Sequence, residues 1–261
     1  MTGRPAAARS VDEAEVARFS ADTARWWDPS GPYAPLHRLT PVRITFVRDT
    51  ACARFGRDGR ALRSLAGLRI LDVGCGGGIL AEPLARLGGT VTAIDPGAET
   101  IAAARAHAEQ SGLDIDYRAA AAEDLAEAGE AFDLVVASEV IEHVREPAAF
   151  VATLAALARP GGLVMLSTIN RTAKSFALAI VGAEYILRWL PRGTHDWRRF
   201  VTLDEMEGYG RAAGLEPLAS AGMMFNPLRG DWTLGADTDV NYWFAAGKGA
   251  AAAGDEAGAS R

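Results

Sequence analysis

The sequence predicts an α/β fold built on a doubly wound, mostly parallel sheet. Three observations carry that reading. From residue 68 onward, short apolar runs alternate with helical stretches, which is the pattern of βαβ units. A glycine cluster, "DVGCGGG", joins the first apolar run to the first of those helices, where a strand must turn tightly. The chain has 261 residues, 49% of them hydrophobic, which suits one such domain with a large core.

The elements follow in order. Residues 1–10 and 248–261 are rich in small residues and are expected to be disordered, leaving 11–247 as a single domain. Residues 11–27 read as a helix, with Asp12, Glu13 and Glu15 favouring its first turn. Four prolines between residues 28 and 41 break regular structure, and a helix resumes over 42–56. Strands are expected at 68–74, 90–96, 115–120, 132–138 and 163–169, with helices at 78–88, 98–112 and 146–162. Glycines close the first and last of these helices. A helix at 203–215 precedes two closely spaced strands, 217–227 and 239–247, read as an antiparallel pair at the sheet edge.

Composition narrows the function. A net charge of −6 and a pI near 5.3 argue against a nucleic-acid partner. Two cysteines, Cys52 and Cys75, are too few for a disulfide framework or a structural zinc site. The N-terminal residues carry no apolar signal core, so a reducing, cytoplasmic setting is expected.

Gly74, Gly76 and Gly78 let the backbone turn and let a ligand approach it closely. Asp95 ends the second strand, about 20 residues on, where a carboxylate meets ribose hydroxyls. A dinucleotide site would use the same features. Asp72, just before the loop, suits a cationic ligand or orders the loop itself, and the loop has no basic residue to grip a phosphate. These details point to a nucleoside that carries a positive charge, S-adenosylmethionine, with a dinucleotide as the competing reading.

"LDVGCGGG", "AIDP", "AAEDL" and "FDLVVASEVIEHV" together resemble the class I methyltransferase family. That resemblance implies a Rossmann-like sheet of seven strands with the seventh reversed. It implies Gly74 and Gly76 beside the methionine moiety of S-adenosylmethionine and Asp95 on the ribose. Glu123 or its backbone would flank the adenine, and Ser138 would touch the cofactor. Three longer, irregular stretches, "RWWDPSGPYAPLHRLTPVR", "NRTAKSFALAIVGAEYILRWLPRGTHDW" and "FNPLRGDWTLGADTDVNYWFAA", resemble the ubiquinone-biosynthesis O-methyltransferases. This narrower resemblance implies that Arg43 belongs to the cofactor site. It implies a catechol substrate on a polyprenylated ring, methylated at two points of one pathway, in the company of other enzymes of that pathway. It also implies a magnesium ion held by Glu139, Glu142 and His143.

Methyl transfer to oxygen needs an anionic oxygen, and a neutral phenol is a poor nucleophile, so a base or a metal is required near pH 7. If "SEVIEHV" is helical, offsets of three and four residues put Glu139, Glu142 and His143 on one face. His143 then serves as general base, or the three side chains hold a divalent cation, or the Glu–His pair only caps a helix. Two other functions compete: C-methylation of a quinol ring, which needs no metal, and a non-catalytic binding module.

Residues 174–192 form an apolar insertion after the fifth strand, too short to span a bilayer. It reads as a core helix, a lid, or an amphipathic element at the inner membrane of a bacterium, with Phe176, Tyr185 and Trp189 at the interface. Lys174, Arg188, Arg192, Arg198 and Arg199 would then favour anionic lipid. Trp26 and Trp27 read as packing residues or walls of the cofactor pocket; His37 and His195 read as loop histidines, and His107 as solvated on its helix.

Overall fold

The computed structural model describes residues 10–12, 15–16, 25–28, 30–31, 33–177, 196–226 and 228–250. Its apolar runs form β1 (Arg69–Val73), β2 (Thr90–Asp95), β3 (Asp116–Ala119), β4 (Phe132–Ser138) and β5 (Ala158–Ile169). These pair in parallel in the order β3-β2-β1-β4-β5. The chain then adds β6 (Leu215–Asn226), β7 (Asp231–Gly235) and β8 (Asn241–Lys248), extending the order with β8-β6-β7. β8 runs against both β5 and β6, and the edge strand β7 runs against β6.

Helices cover both faces. α1 (Ala34–Phe55), α2 (Ala81–Arg86) and α3 (Ala98–Gln110) pack on one side, with Val42, Phe46, Leu84 and Ile101 in a common cluster. α4 (Ala122–Glu127), α5 (Pro147–Leu157) and α6 (Leu203–Ala212) pack on the other, with Leu125, Val151 and Met206. Burial on both faces explains why β1 and β4 place apolar residues at successive positions, such as Ile70 and Leu71 or Leu134 to Ala137, rather than at alternating ones.

The class is as expected; several elements differ. The sheet has eight strands rather than seven, because the connection after Gly230 folds back as the short hairpin partner β7. The proline-rich stretch is not a break from residue 34 onward. Pro35 stands in the first turn of α1, where its missing N–H is no loss, and Pro41 lies inside the helix. Burial of Val42, Phe46 and Val47, about 1.5–3 kcal/mol each, outweighs the backbone bond that Pro41 cannot make. α5 ends at Leu157, ahead of the glycines expected to stop it. Gly161 and Gly162 instead fall within β5, where the register with β4 slips between Phe132↔Ala158 and Leu134↔Leu163. "AAEDL" opens the short helix α4, which periodicity over six residues cannot announce.

Most of the helix expected at 11–27, the insertion from 178 to 192 with Glu184, Tyr185, Arg188 and Trp189, and His195 lie outside the described residues. So do the termini 1–9 and 251–261. No helix among the described residues is long and apolar enough to cross a membrane.

Candidate active site

Two clusters meet the carboxyl edge of the sheet. The first surrounds the glycine loop after β1. The amides of Gly74 and Cys75 both donate to the Ile94 carbonyl, at 2.8 and 3.0 Å, which ties the loop to β2. Gly74 has φ +69°, and a Cβ there would stand 2.5 Å from Val140. Gly76 has φ +52°, and a Cβ there would stand 2.5 Å from the Trp26 ring. Both glycines are therefore demanded by the protein's own packing as well as by any ligand.

Asp95 bridges two loops. Its carboxylate accepts from Gly76 N at 3.2 Å and from Gly97 N at 2.8 Å. Burial pushes its pKa up, and the two backbone bonds pull it back. Asp72 is buried, and its carboxyl is pushed up to about 8 by burial and then by the charge of Asp95. Asp72 Oδ2 and the Tyr117 hydroxyl, which lies against Gly78, have no hydrogen-bond partner among the described residues. A site with an unpartnered buried carboxyl oxygen fits a cationic ligand at this loop. Glu123 is buried on α4; its Oε1 accepts from Ser10 N at 3.1 Å, and its Oε2 has no partner among the described residues.

Trp26 and Trp27 cover the loop. Trp26 is buried, with its ring stacked on Tyr33 at a centroid distance of 3.8 Å. Trp27 donates its indole N–H to Gly77 O at 2.9 Å. His107 is not simply solvated: it stacks on Trp27 at 3.5 Å and meets Glu82 at 2.5 Å. His37 is not in a loop; it lies on α1, and its Nε2 meets the Trp26 carbonyl at 2.8 Å.

The second cluster follows β4. "SEVIEHV" does not form a regular helix with all three candidates on one face. Glu139 has φ +56°, the single non-glycine residue in that region among the described residues, and only Ile141–His143 make a 3₁₀ turn. A bulky residue held in such a conformation stores local strain, which the surroundings must support. They do. Ser167 Oγ donates to Glu139 Oε1 at 2.9 Å and stands 2.9 Å from Ser138 Oγ. Thr168 Oγ1 donates to Glu142 Oε2, also at 2.9 Å. Arg43, buried on α1, lies 3.3 Å from Glu139. Burial draws the Arg43 guanidinium down from its ordinary value, and the two glutamates draw it back up. Glu142 is raised well above the usual carboxyl range, by burial first and by the charge of Glu139 second.

His143 faces a different partner: its Nδ1 lies 2.9 Å from Glu15 Oε2. Glu15 and Asp12 are in turn paired with Arg199, and Lys174 pairs with Asp237 and Asp239. Two of the basic residues expected to face lipid are thus matched by carboxylates. Phe176 is 46% exposed, edge-on to Trp197.

The structure thus gathers Gly74, Gly76 and Asp95 in one cluster and Arg43, Ser138, Glu139 and Glu142 in the other, with His143 beside the latter. No group of three ligating side chains stands at metal-holding spacing among the described residues. Sequence reasoning missed Ser167, Thr168, Glu15 and Tyr117. The hydroxyl pair at the end of β5 was a visible signal; Glu15 reaches His143 across 128 positions, and nothing local marks it.

A twisted parallel sheet with a reversed strand, a glycine loop after β1 and an acidic residue closing β2 define a class I S-adenosylmethionine-dependent methyltransferase. Residues 46–220 match the family model described as a methyltransferase domain. The ubiquinone biosynthesis O-methyltransferase of Azorhizobium caulinodans is 55% identical over 92% of this chain and 95% of its own. The protein of that name from Rhizobium leguminosarum bv. trifolii is 52% identical over 92% and 96%. The chain belongs to the ubiquinone biosynthesis O-methyltransferase family, and it is an S-adenosylmethionine-dependent O-methyltransferase. Among solved structures, magnesium protoporphyrin IX methyltransferase from Synechocystis with bound SAH has the same fold, with a TM-score of 0.60 at 20% identity over 90% of this chain and 98% of that one.

Proposed function

We propose that the chain methylates a hydroxyl of a polyprenylated catechol, at both O-methylation steps of ubiquinone biosynthesis. Glu139, Glu142 and His143 handle the ring hydroxyls beside a divalent cation, Mg²⁺. The observation that carries the reading is the Glu139–Glu142 pair, Glu142 buried and Glu139 partly exposed, held by Ser167 and Thr168 at the same sheet edge as the glycine loop.

S-Adenosylmethionine, when bound, supplies a methyl group on a sulfonium. The chain's residues do the rest. Asp95, Gly74 and Gly76 hold the ribose and methionine ends, with Glu123 and Ser138 at the adenine and strand-end positions. The unpartnered Asp72 carboxyl, held largely protonated by burial, would ionise beside a cationic ligand. Arg43 pairs with Glu139, and its charge would also suit the cofactor's carboxylate. With Glu15 Oε2 2.9 Å from its Nδ1, the imidazole of His143 is oriented by a carboxylate, and its Nε2 is the nitrogen left to accept the hydroxyl proton. The same arrangement, an imidazole oriented by a carboxylate, is the one a metal-ligating histidine takes.

Two carboxylates and an imidazole suit a hard or borderline divalent ion, which lowers the pKa of a hydroxyl it touches. The donors fit in kind, and Arg43 lies 3.3 Å from Glu139 beside them. A metal-free reading, with His143 as direct base, uses the same Glu15 contact. The prenyl tail would bring the enzyme to the cytoplasmic face of the inner membrane as a peripheral protein. The exposed Phe176 and the insertion's aromatics support this, while the paired Lys174 and Arg199 weaken the anionic-lipid component.

The test is methyl transfer to a short-chain prenylated catechol with and without chelator. Loss of turnover on chelation and recovery with Mg²⁺ supports the cation. Full turnover in chelator together with an inactive His143→Ala selects the direct base. No transfer to any catechol overturns the reading.

A further inference from the structure

The β6–β7 hairpin has no role in the chemistry above, yet it overhangs the site. β6 pairs with β8 as far as Ala221↔Trp243, and Trp243 stands opposite Ser167 on β5, the residue that holds Glu139. β8 begins at Asn241, whose side-chain oxygen accepts from Met223 N at 2.9 Å. Beyond that point β6 pairs only with β7. Residues 224–226 therefore project past the carboxyl edge, by about 10 Å at roughly 3.3 Å per residue.

The projection is apolar on one face. Met223 pairs with Leu234 and Phe225 with Trp232, so all four lie on the same side of the hairpin. Met223 is buried, and Trp232 and Leu234 pack on the cluster that includes Val42 and Phe46 of α1. The next residue of α1, Arg43, reaches Glu139. Farther out, Phe225 is 39% exposed with its ring 5.2 Å from Trp232, and Leu228 at the turn is 96% exposed. An apolar surface thus runs outward from the helix that lines the carboxylate pair. From β4, which carries Glu139, to β6 is three strand spacings, about 14 Å. A single prenyl unit cannot cross that gap, and a long tail can.

We infer that this face of the β6–β7 hairpin, with Phe225 and Trp232 at its centre, binds the distal part of the substrate's polyprenyl tail. The inference rests on the prenylated-catechol reading. Its occupant is an isoprenoid chain because the surface is aromatic and aliphatic and its inner residues pack on the same cluster as α1, whose Arg43 reaches Glu139. The polar Thr233 faces the other way.

The experiment compares kcat/KM for catechols bearing one prenyl unit and a long chain, in a fixed concentration of detergent, for the wild type, Phe225→Ala and Trp232→Ala. The expected result is a loss of about tenfold on the long-chain substrate and no change on the short one. Cofactor affinity and melting temperature confirm that each variant is folded. If Trp232→Ala unfolds, Phe225→Ala, at a half-exposed position, decides alone. Equal effects on both substrates, or none, overturn the inference while the wild type's activity upholds the reading. A wild type inactive on every prenylated catechol overturns both. If Phe225→Ala loses binding to phospholipid vesicles yet keeps the chain-length preference in detergent, the hairpin is a lipid contact and the inference is overturned.

Discussion

Asp72 lies buried at the root of the glycine loop with a pKa near 8, raised by burial and then by Asp95. A carboxyl whose pKa is higher folded than unfolded binds its proton more tightly in the native state. The stability this gives is complete below the ordinary carboxyl value and is lost as pH rises through about 8. The melting temperature of the cofactor-free protein is therefore expected to fall between pH 4 and 8. Asp72→Asn should flatten that fall in part, since Glu142 is raised in the same direction. An unchanged slope would remove Asp72 as a cause. A cationic ligand favours the ionised carboxylate, so S-adenosylmethionine should stabilise the protein more at pH 8 than at pH 6. Asp95→Ala removes the acceptor of two backbone amides and, on the proposed reading, of the ribose; cofactor affinity measured by calorimetry should weaken by about 1.5–3 kcal/mol. Gly74→Val should be worse, because it meets Val140 and forces a β-branched residue to a positive φ.

The turn after β4, to which the proposed function assigns the chemistry, is only partly visible in the sequence. "SEVIEHV" offers three candidate side chains but does not show their arrangement, because Glu139 leaves helical space and only three residues close a 3₁₀ turn. What locates the carboxylates comes from elsewhere: Ser167 and Thr168 across the β4–β5 pairing, and Arg43 from α1. The β1–β5 framework was legible because doubly buried strands place apolar residues at successive positions, bounded by glycines and helices. α1 was misread because proline reports local cost and says nothing of the apolar face that outweighs it. β7 was missed because five residues alternating Trp232 and Leu234 with polar neighbours look like any connection. The element makes its own prediction. Glu139→Ala, Glu142→Ala and His143→Ala should each lower kcat by about 10²–10⁴ while S-adenosylmethionine affinity stays nearly constant. A parallel loss of affinity would place these groups in the cofactor site instead.

At the scale of the molecule, sheet order does the assembling. β1 lies between β2 and β4, so the glycine loop and Asp95 come from one pair of neighbouring strands. Ser138 and Glu139, with Ser167, come from the adjoining pair. Helix α1 crosses the sheet's face to deliver Arg43 to the second cluster while its other residues bury against β7. On the proposed reading, the methyl donor and the group that ionises the acceptor meet at one edge of the sheet because of this strand order. That reading is tested by incubating the protein with a prenylated catechol and S-adenosylmethionine labelled with ¹³C at the methyl, then locating the label in the product by NMR. The account predicts an aryl methyl ether on one of the two vicinal oxygens, formed by the wild type and lost in His143→Ala. Label on a ring carbon, or an undiminished ether yield from His143→Ala, would contradict it.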